Sequence, residues 1–162
     1  MIIGVTGDTH NNLKNIKTIC SIFNQNGAEF VLHTGDISLP KSLSAFKDLK
    51  CPLIAVLGNN DIEEKNGLKL AAKEFACEIF EEPHSIRLNN RNISLLHHPD
   101  LINPDMTMEN DIILHGHTHR YRLEENNNCI IFNPGECAGF MEGKNQVGLI
   151  DLEKLNAEVI NF

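Results

Sequence analysis

Asp8-Thr9-His10, Gly35-Asp36, Gly58-Asn59-Asn60-Asp61, His97-His98 and Gly116-His117-Thr118-His119 gather carboxylate, amide and imidazole groups into five short stretches of the chain. These side chains hold divalent cations through oxygen and nitrogen. Asp8, His10, Asp36, Asn59, His97, His117 and His119 make seven candidate ligands. That is too many for one tetrahedral ion and suits two ions sharing a carboxylate. A carboxylate such as Asp8 or Asp36 has the chemistry for such sharing, because its two oxygens can face two cations. Asn59 supplies a neutral oxygen, which limits the negative charge on the site. Taken alone, Gly-Asp and Gly-Asn are common turn dipeptides; only the five stretches together point to a metal site.

Each stretch follows an apolar run of strand length: Ile2-Ile3-Gly4-Val5, Phe30-Val31-Leu32, Leu53-Ile54-Ala55-Val56, Ile93-Ser94-Leu95-Leu96 and Ile112-Ile113-Leu114. Ligands of open α/β sheets gather beyond the carboxyl ends of the strands, so the five strand ends predict one site. Asp8 and His10, two residues apart on an extended strand end, should lie on one side. Between the runs, Leu13, Ile16, Ile19, Cys20 and Phe23 fall at helical spacing, with Asn11 or Asn12 as N-cap and Gly27 as stop. Leu43, Phe46 and Leu49 predict a short helix after Pro40, and 68–75 a third, before Glu78-Ile79-Phe80. This alternation predicts a parallel sheet with right-handed crossovers, an α/β class with α+β character. Later strands sit closer together. Ser85–Leu88 and Ile93–Leu96 flank a turn at 89–92, Tyr121–Glu124 and Cys129–Phe132 a turn at 125–128, and Val147–Asp151 and Ala157–Ile160 a turn at 153–156.

The 162 residues predict a single domain, 1–162, with 41% hydrophobic and 22% charged residues. A net charge of −8 argues against nucleic acid as a stable partner, which needs a basic surface. A short phosphodiester is still compatible, because two cations would make the pocket positive. The five cysteines are odd in number and lack a Cys-x-x-Cys pair, so they read as reduced apolar residues of a cytoplasmic chain. The first apolar run is too short for a membrane and has no basic leader.

In order and spacing, Gly-Asp-x-His, Gly-Asp, Gly-Asn-x-Asp, strand-His and Gly-His-x-His resemble the calcineurin-like metallophosphoesterases, within them the small bacterial and archaeal phosphodiesterases. The resemblance runs from Asp8 to Asn133-Pro134-Gly135. It implies an αββα sandwich of two mixed β-sheets flanked by helices, with two divalent transition-metal ions at one edge. Mn²⁺ leads among these, with Ni²⁺, Fe²⁺, Co²⁺ and Zn²⁺ also suited. Asp8, His10, Asp36 and His119 would hold one ion, and Asp36 would bridge to a second held by Asn59, His97 and His117. Ions ~3.5–4 Å apart clamp a phosphate and generate a bridging hydroxide that attacks phosphorus. The implied function is a cytoplasmic phosphodiesterase acting on a small phosphodiester, with a homodimer by analogy. The alternatives are a metal-binding scaffold for protein interactions and a phosphomonoesterase.

Asn60, Asp61 and His97 are the candidate catalytic residues. Asn60 stands where the family often has a histidine that contacts the phosphate. An amide can donate a hydrogen bond but cannot serve as general acid near neutral pH. Asp61 reads as orienting a neighbour or as a helix N-cap. His97 ends its strand directly and is taken as the ligand, with His98 as the alternative. His33 reads as core or as support behind the ligands, His115 as a packed strand end and His84 as surface. Glu63, Glu64, Glu81 and Glu82 read as solvated surface. Asn133–Glu136 reads as a turn, which the resemblance implies lies near the metals, where it could hydrogen-bond a ligand histidine.

Overall fold

In the computed structural model, which describes all 162 residues, the chain runs β1 (Ile2–Thr6), α1 (Leu13–Gln25), β2 (Phe30–His33), α2 (Pro40–Ser44), β3 (Leu53–Val56), α3 (Lys65–Ala71) and β4 (Cys77–Phe80). It continues through β5 (His84–Leu88), β6 (Arg91–Leu95), α4 (Pro104–Glu109), β7 (Ile112–Leu114), β8 (Arg122–Asn126), β9 (Cys129–Asn133), β10 (Gln146–Asp151) and β11 (Asn156–Asn161). No helix is long and apolar enough to cross a membrane.

Strand alternation sorts the apolar residues into three layers. Ile3 and Val5 of β1, Leu32 of β2 and Val56 of β3 point one way and meet Ile93, Leu95, Ile112, Leu114 and Phe132. On the opposite face Val31, Leu53, Ala55, Val147 and Leu149 meet Ile16, Ile19, Cys20 and Phe23 of α1 together with Leu43, Phe46 and Leu68. A third, smaller cluster joins Leu96, Ile113, Cys129 and Ile131 to Met106 of α4. The order of layers is therefore helices, sheet, sheet, helix, as expected for the αββα sandwich.

The first sheet has the order β11-β10-β1-β2-β3-β4, and the second β5-β6-β7-β9-β8. Strands β1 to β4 pair in parallel, as the alternating pattern predicts, and β10 and β11 extend that sheet antiparallel. In the second sheet β6, β7 and β9 are parallel, and the edge strands β5 and β8 are antiparallel. Both sheets are mixed.

Several boundaries differ from expectation, each for a local reason. Asn12 rather than Asn11 caps α1, its side chain accepting from the Asn15 N–H at 3.0 Å. Helix α3 begins at Lys65, because its first turn, Lys65-Asn66-Gly67, is polar and adds nothing to the apolar period. It tightens after Ala71, and Phe75 is already extended. The first two hairpin turns hold only two residues each: Asn89 and Asn90 have φ of 47° and 61°, Asn127 and Asn128 φ of 52° and 65°. Left-handed Asn-Asn pairs match the twist of two-residue turns, so Arg91 and Asn92 are already strand.

Gly148 of β10 lets the Phe132 ring of the facing sheet press onto its backbone. A Cβ there would stand 2.3 Å from Phe132 Cε1, inside van der Waals contact. Gly148→Ala should therefore destabilise the protein by about 1–3 kcal/mol through overpacking. Combined with Phe132→Leu, its cost should be less than additive in denaturant melts. Strict additivity would show that the ring does not lock the sheets together.

Candidate metal centre

The rim that collects the candidate ligands lies between the two sheets. Strands β1, β2 and β3 of the first sheet deliver Asp8, His10, Asp36 and Asn59, and β6 and β7 of the second deliver His97, His117 and His119. All seven predicted ligands converge there.

The turns after the strands set the orientations. Asp8, His10, Asp36, His117 and His119 have φ of 51°, 45°, 59°, 68° and 54°, so all five are left-handed. This corrects the expectation that Asp8 and His10 share one side of an extended strand: β1 ends at Thr6, and a turn brings the two together. Such backbone costs about 1–2 kcal/mol per non-glycine residue and persists only where surrounding contacts enforce it. The contacts are specific. Asp8 N donates to Gly35 O at 2.8 Å and His10 N to Asp36 O at 2.9 Å, joining the first two ligand turns. Beneath them His33, fully buried, donates from Nε2 to Thr9 Oγ1 at 2.9 Å and accepts the Gly35 N–H on Nδ1 at 3.1 Å. Burial pushes its pKa down to about 3, so the ring is neutral and keeps the lone pair this contact uses. Gly35 itself, at φ 95°, admits no side chain: a Cβ would meet His97 Nδ1 at 2.9 Å.

Asp61 braces the third turn. Fully buried, it accepts Asp36 N at 2.9 Å and Gly58 N at 2.8 Å on Oδ2, and Ser38 N at 2.6 Å on Oδ1. Of its two expected roles, orienting the Asp36 turn is the one the hydrogen bonds support, which makes it a positioning residue. Asn60 is exposed, and both its nitrogens reach Asp36: the backbone N–H meets Oδ1 at 2.9 Å and Nδ2 meets Oδ2 at 2.7 Å. Its amide is thus committed to Asp36, where a contact to substrate was expected.

Two groups of acceptor atoms result. In the first, His10 Nε2 and His119 Nε2 lie 3.4 Å apart, with Asp8 Oδ1 3.7 Å from His119 Nε2. In the second, His97 Nε2 lies 2.9 Å from Asn59 Oδ1, 3.3 Å from His117 Nδ1 and 3.5 Å from Asp36 Oδ2. Asp36 Oδ2 also stands 3.9 Å from His10 Nε2, between the groups. Ligands ~2.1 Å from a common ion are ~3.0–3.4 Å from one another in octahedral or tetrahedral arrangement, so these spacings fit cations. The outer nitrogens are spoken for. His119 Nδ1 donates to Glu136 Oε2, His97 Nδ1 to Thr34 O at 2.9 Å, and His10 Nδ1 lies 3.3 Å from Ser38 Oγ. Each ring thereby turns its Nε2 lone pair inward, the arrangement a metal requires.

The charges agree. Burial is the main cause that pushes Asp8 up to about 7, with Asp36 and Glu136 adding to it and His119 opposing. Burial also raises Asp36, but His97 and the Asn60 hydrogen bonds outweigh it and hold the carboxyl below its ordinary range. His10 and His97 are lowered, chiefly by burial, so both rings are neutral at pH 7.

Two acidic residues outside the expected site complete it. Glu136, 1% exposed, holds His119, as the proximity of the Asn133–Glu136 turn hinted. Glu82 corrects the reading as solvated surface: its Oε2 accepts the N–H groups of His97 and His98 at 2.6 and 2.9 Å, and its Oε1 accepts His98 Nδ1 at 2.6 Å. No local motif marks it; only the path from β4 to β5 brings it beneath the His97–His98 turn. His98 sits at the rim beside His117, ring centroids 4.6 Å apart, whereas His97 is fully buried among the acceptors. His84 stacks on Phe80 at 3.6 Å rather than standing free at the surface, and His115 is a buried strand end as expected.

Two clefts open beside the centre. One, about 430 Å³, is lined by Ser38, Asn59, Asn60, Glu63 and Glu64; the other, about 490 Å³, by His10, Asn12, Leu13, Ala138 and Phe140. Asn11 lines both.

Two outcomes are expected. Glu136→Gln should weaken Mn²⁺ binding about 10–100-fold without unfolding the chain, because it loosens the orientation of His119. Mn²⁺ must also displace the Asp8 proton, so its affinity should rise with pH through about 7, with proton release read from the buffer dependence of the calorimetric heat. For the metal-free protein the sign is opposite. Asp8 holds its proton in the folded state up to about 7 against an ordinary 3.8, so its contribution to stability is lost as pH rises across that window. An affinity independent of pH would contradict the Asp8 assignment.

Comparison with known proteins matches this architecture. Residues 1–155 match the model of the calcineurin-like phosphoesterase superfamily domain. A phosphodiesterase of Methanocaldococcus jannaschii is 32% identical over 95% of both chains. Among solved structures, one described as a novel archaeal phosphodiesterase superposes with TM-score 0.85 at 31% identity, covering 100% of both chains. Wild-type Vps29 of Entamoeba histolytica complexed with zinc shares the fold, with TM-score 0.67 at 18% identity over 99% of both chains. With the motifs, the two-sheet architecture and these likenesses in agreement, the chain belongs to the calcineurin-like phosphoesterase superfamily.

Proposed function

We propose that this chain hydrolyses a small phosphodiester at two divalent cations. Asp8, His10, Asp36 and His119 would hold one, and Asp36, Asn59, His97 and His117 the other. The observation that carries the reading is the position of Asp36 Oδ2, 3.5 Å from His97 Nε2 in one group and 3.9 Å from His10 Nε2 in the other. Both groups are nitrogen and oxygen sets without thiolate, which suits Mn²⁺ first, then Ni²⁺, Fe²⁺, Co²⁺ or Zn²⁺. When bound, two such ions supply an activated water and neutralise the phosphate charge.

The residues of the chain do the rest by position. Asp61 and His33 hold the turns that carry Asp8, His10 and Asp36, while Glu136 and Glu82 hold those that carry His119 and His97. Two clefts that open beside the centre and share Asn11 leave room for two ester arms, which favours a diester over a monoester. Asn60 keeps its amide on Asp36 and offers no proton. The leaving oxygen must therefore depart as an anion or take its proton from water, which favours acidic leaving groups. The shared fold of Vps29 carries no argument for a scaffold here, since the acceptor groups favour hydrolysis.

The test is hydrolysis of bis(p-nitrophenyl) phosphate by metal-stripped protein, before and after Mn²⁺. Activity should return with metal and fall at least ~100-fold in Asp36→Asn. An Asp36→Asn variant as active as its parent would sink the proposal. Metal-loaded protein that hydrolyses no phosphoester would favour the scaffold. Asn60→His should raise rates on diesters with poor alkoxide leaving groups by up to about 10²–10⁴-fold, since it restores a general acid. Its effect on nitrophenyl esters should be small.

A further inference from the structure

Phe140 is the most exposed aromatic ring of the chain, at 69%, and it stands beside two candidate metal ligands. Its centroid is 5.1 Å from the His10 ring and 5.6 Å from the His119 ring, nearly parallel to the latter at 25°. The rest of the ring is open to the cleft formed with Leu13, Ala138 and Asn12. A phenyl ring left in water has no reason to be there for folding, because it contributes little burial.

Its placement is nevertheless tightly specified. The buried carboxylate of Glu136 takes the Phe140 N–H on Oε1 at 2.8 Å while its other oxygen holds His119. One side chain thus ties the aromatic ring to a candidate ligand. The loop before it is fastened to the first turn of α1: Asn12 Nδ2 donates to Ala138 O at 2.7 Å, and Asn15 Nδ2 to Cys137 O at 2.8 Å. Asn11 lines the same cleft, and its oxygen accepts the Ser42 hydroxyl at 2.9 Å, which leaves its amide nitrogen for a ligand.

We infer that Phe140 is a specificity-determining residue, the stacking platform for one ester arm, and that the site favours phosphodiesters in which that arm carries a planar nucleobase. The inference rests on the proposed function for the position of the phosphate. With phosphate at the centre, the ring lies within the reach of a ribose, and a base attached to that ribose meets an aromatic face with an amide beside it. Stacking on an aromatic side chain is sequence-tolerant and substantial for any base. The competing explanation is that Phe140 merely shields the imidazoles from water. Any apolar side chain would do that, whereas stacking needs a planar one.

The experiment compares binding of adenosine monophosphate and ribose phosphate, which differ only in the base, to Mn²⁺-loaded protein by calorimetry. The parent should bind the nucleotide about tenfold more tightly. Phe140→Leu should bring that ratio close to one without changing the affinity for ribose phosphate, and Phe140→Trp should preserve the ratio. A ratio near one in the parent, no binding of the nucleotide, or an unchanged ratio in Phe140→Leu would overturn the inference. Hydrolysis of bis(p-nitrophenyl) phosphate is measured on the same parent sample. Its absence would count against the phosphodiesterase reading alone, while the binding ratio still decides the role of Phe140.

Discussion

Lone pairs brought together repel unless donors or cations stand among them, and that repulsion is the constraint around which this molecule is built. Four imidazole rings, two carboxylates and an amide oxygen converge from two different sheets. Burial of Asp8 deepens the cost, as its pKa of about 7 records. In the absence of a cation, only a few donors answer them within the cluster, the Asn60 N–H groups on Asp36 and the His117 N–H on Asp8. Everything outside the cluster must hold them in place.

What does so is a set of buried side chains that each secure backbone rather than substrate. Asp61 takes three N–H groups around Asp36. His33 ties the Asp8 and Asp36 turns, Glu82 the His97–His98 turn, and Glu136 both His119 and Phe140. Asn133 secures the last ligand turn through Gly116 O at 3.1 Å and Thr118 Oγ1 at 3.2 Å. With these braces five ligand-bearing residues can remain left-handed. The strain is local, and the sandwich that absorbs it is rigid, since Phe132 against Gly148 presses the two sheets into direct contact.

The outer elements also explain how one fold can serve different ends. The sheets and their packing are indifferent to what the rim carries, so function resides in the turns and in the loops that flank them. In this chain the loop after β9 contributes both a brace, Glu136, and an exposed ring, Phe140, to the same site. The turn after β3 contributes Asn59 to the acceptors, and an amide, Asn60, that donates to the Asp36 carboxylate.

The strands and their order were legible because burial writes an apolar run into any strand covered on both faces, and the ligand types were legible because so few residues bind cations. All seven expected ligands converge for that reason. The turns were less so: Asp and His tolerate left-handed backbone, but at Asp8 and His10 the same types read equally as ligands on an extended strand, and the two-residue Asn-Asn turns look the same as four-residue ones. The division of the strands between two sheets is invisible locally too, since a buried parallel strand reads alike in either. Glu82 shows the limit most clearly. An isolated glutamate next to proline is ordinarily solvated surface, and only the path of the chain in three dimensions places it behind His97 and His98. Residue chemistry thus determined what the site could hold. Long-range packing decided which groups face one another, because hydrogen-bond partners 15 to 17 residues away are chosen by the fold and not by their neighbours in sequence.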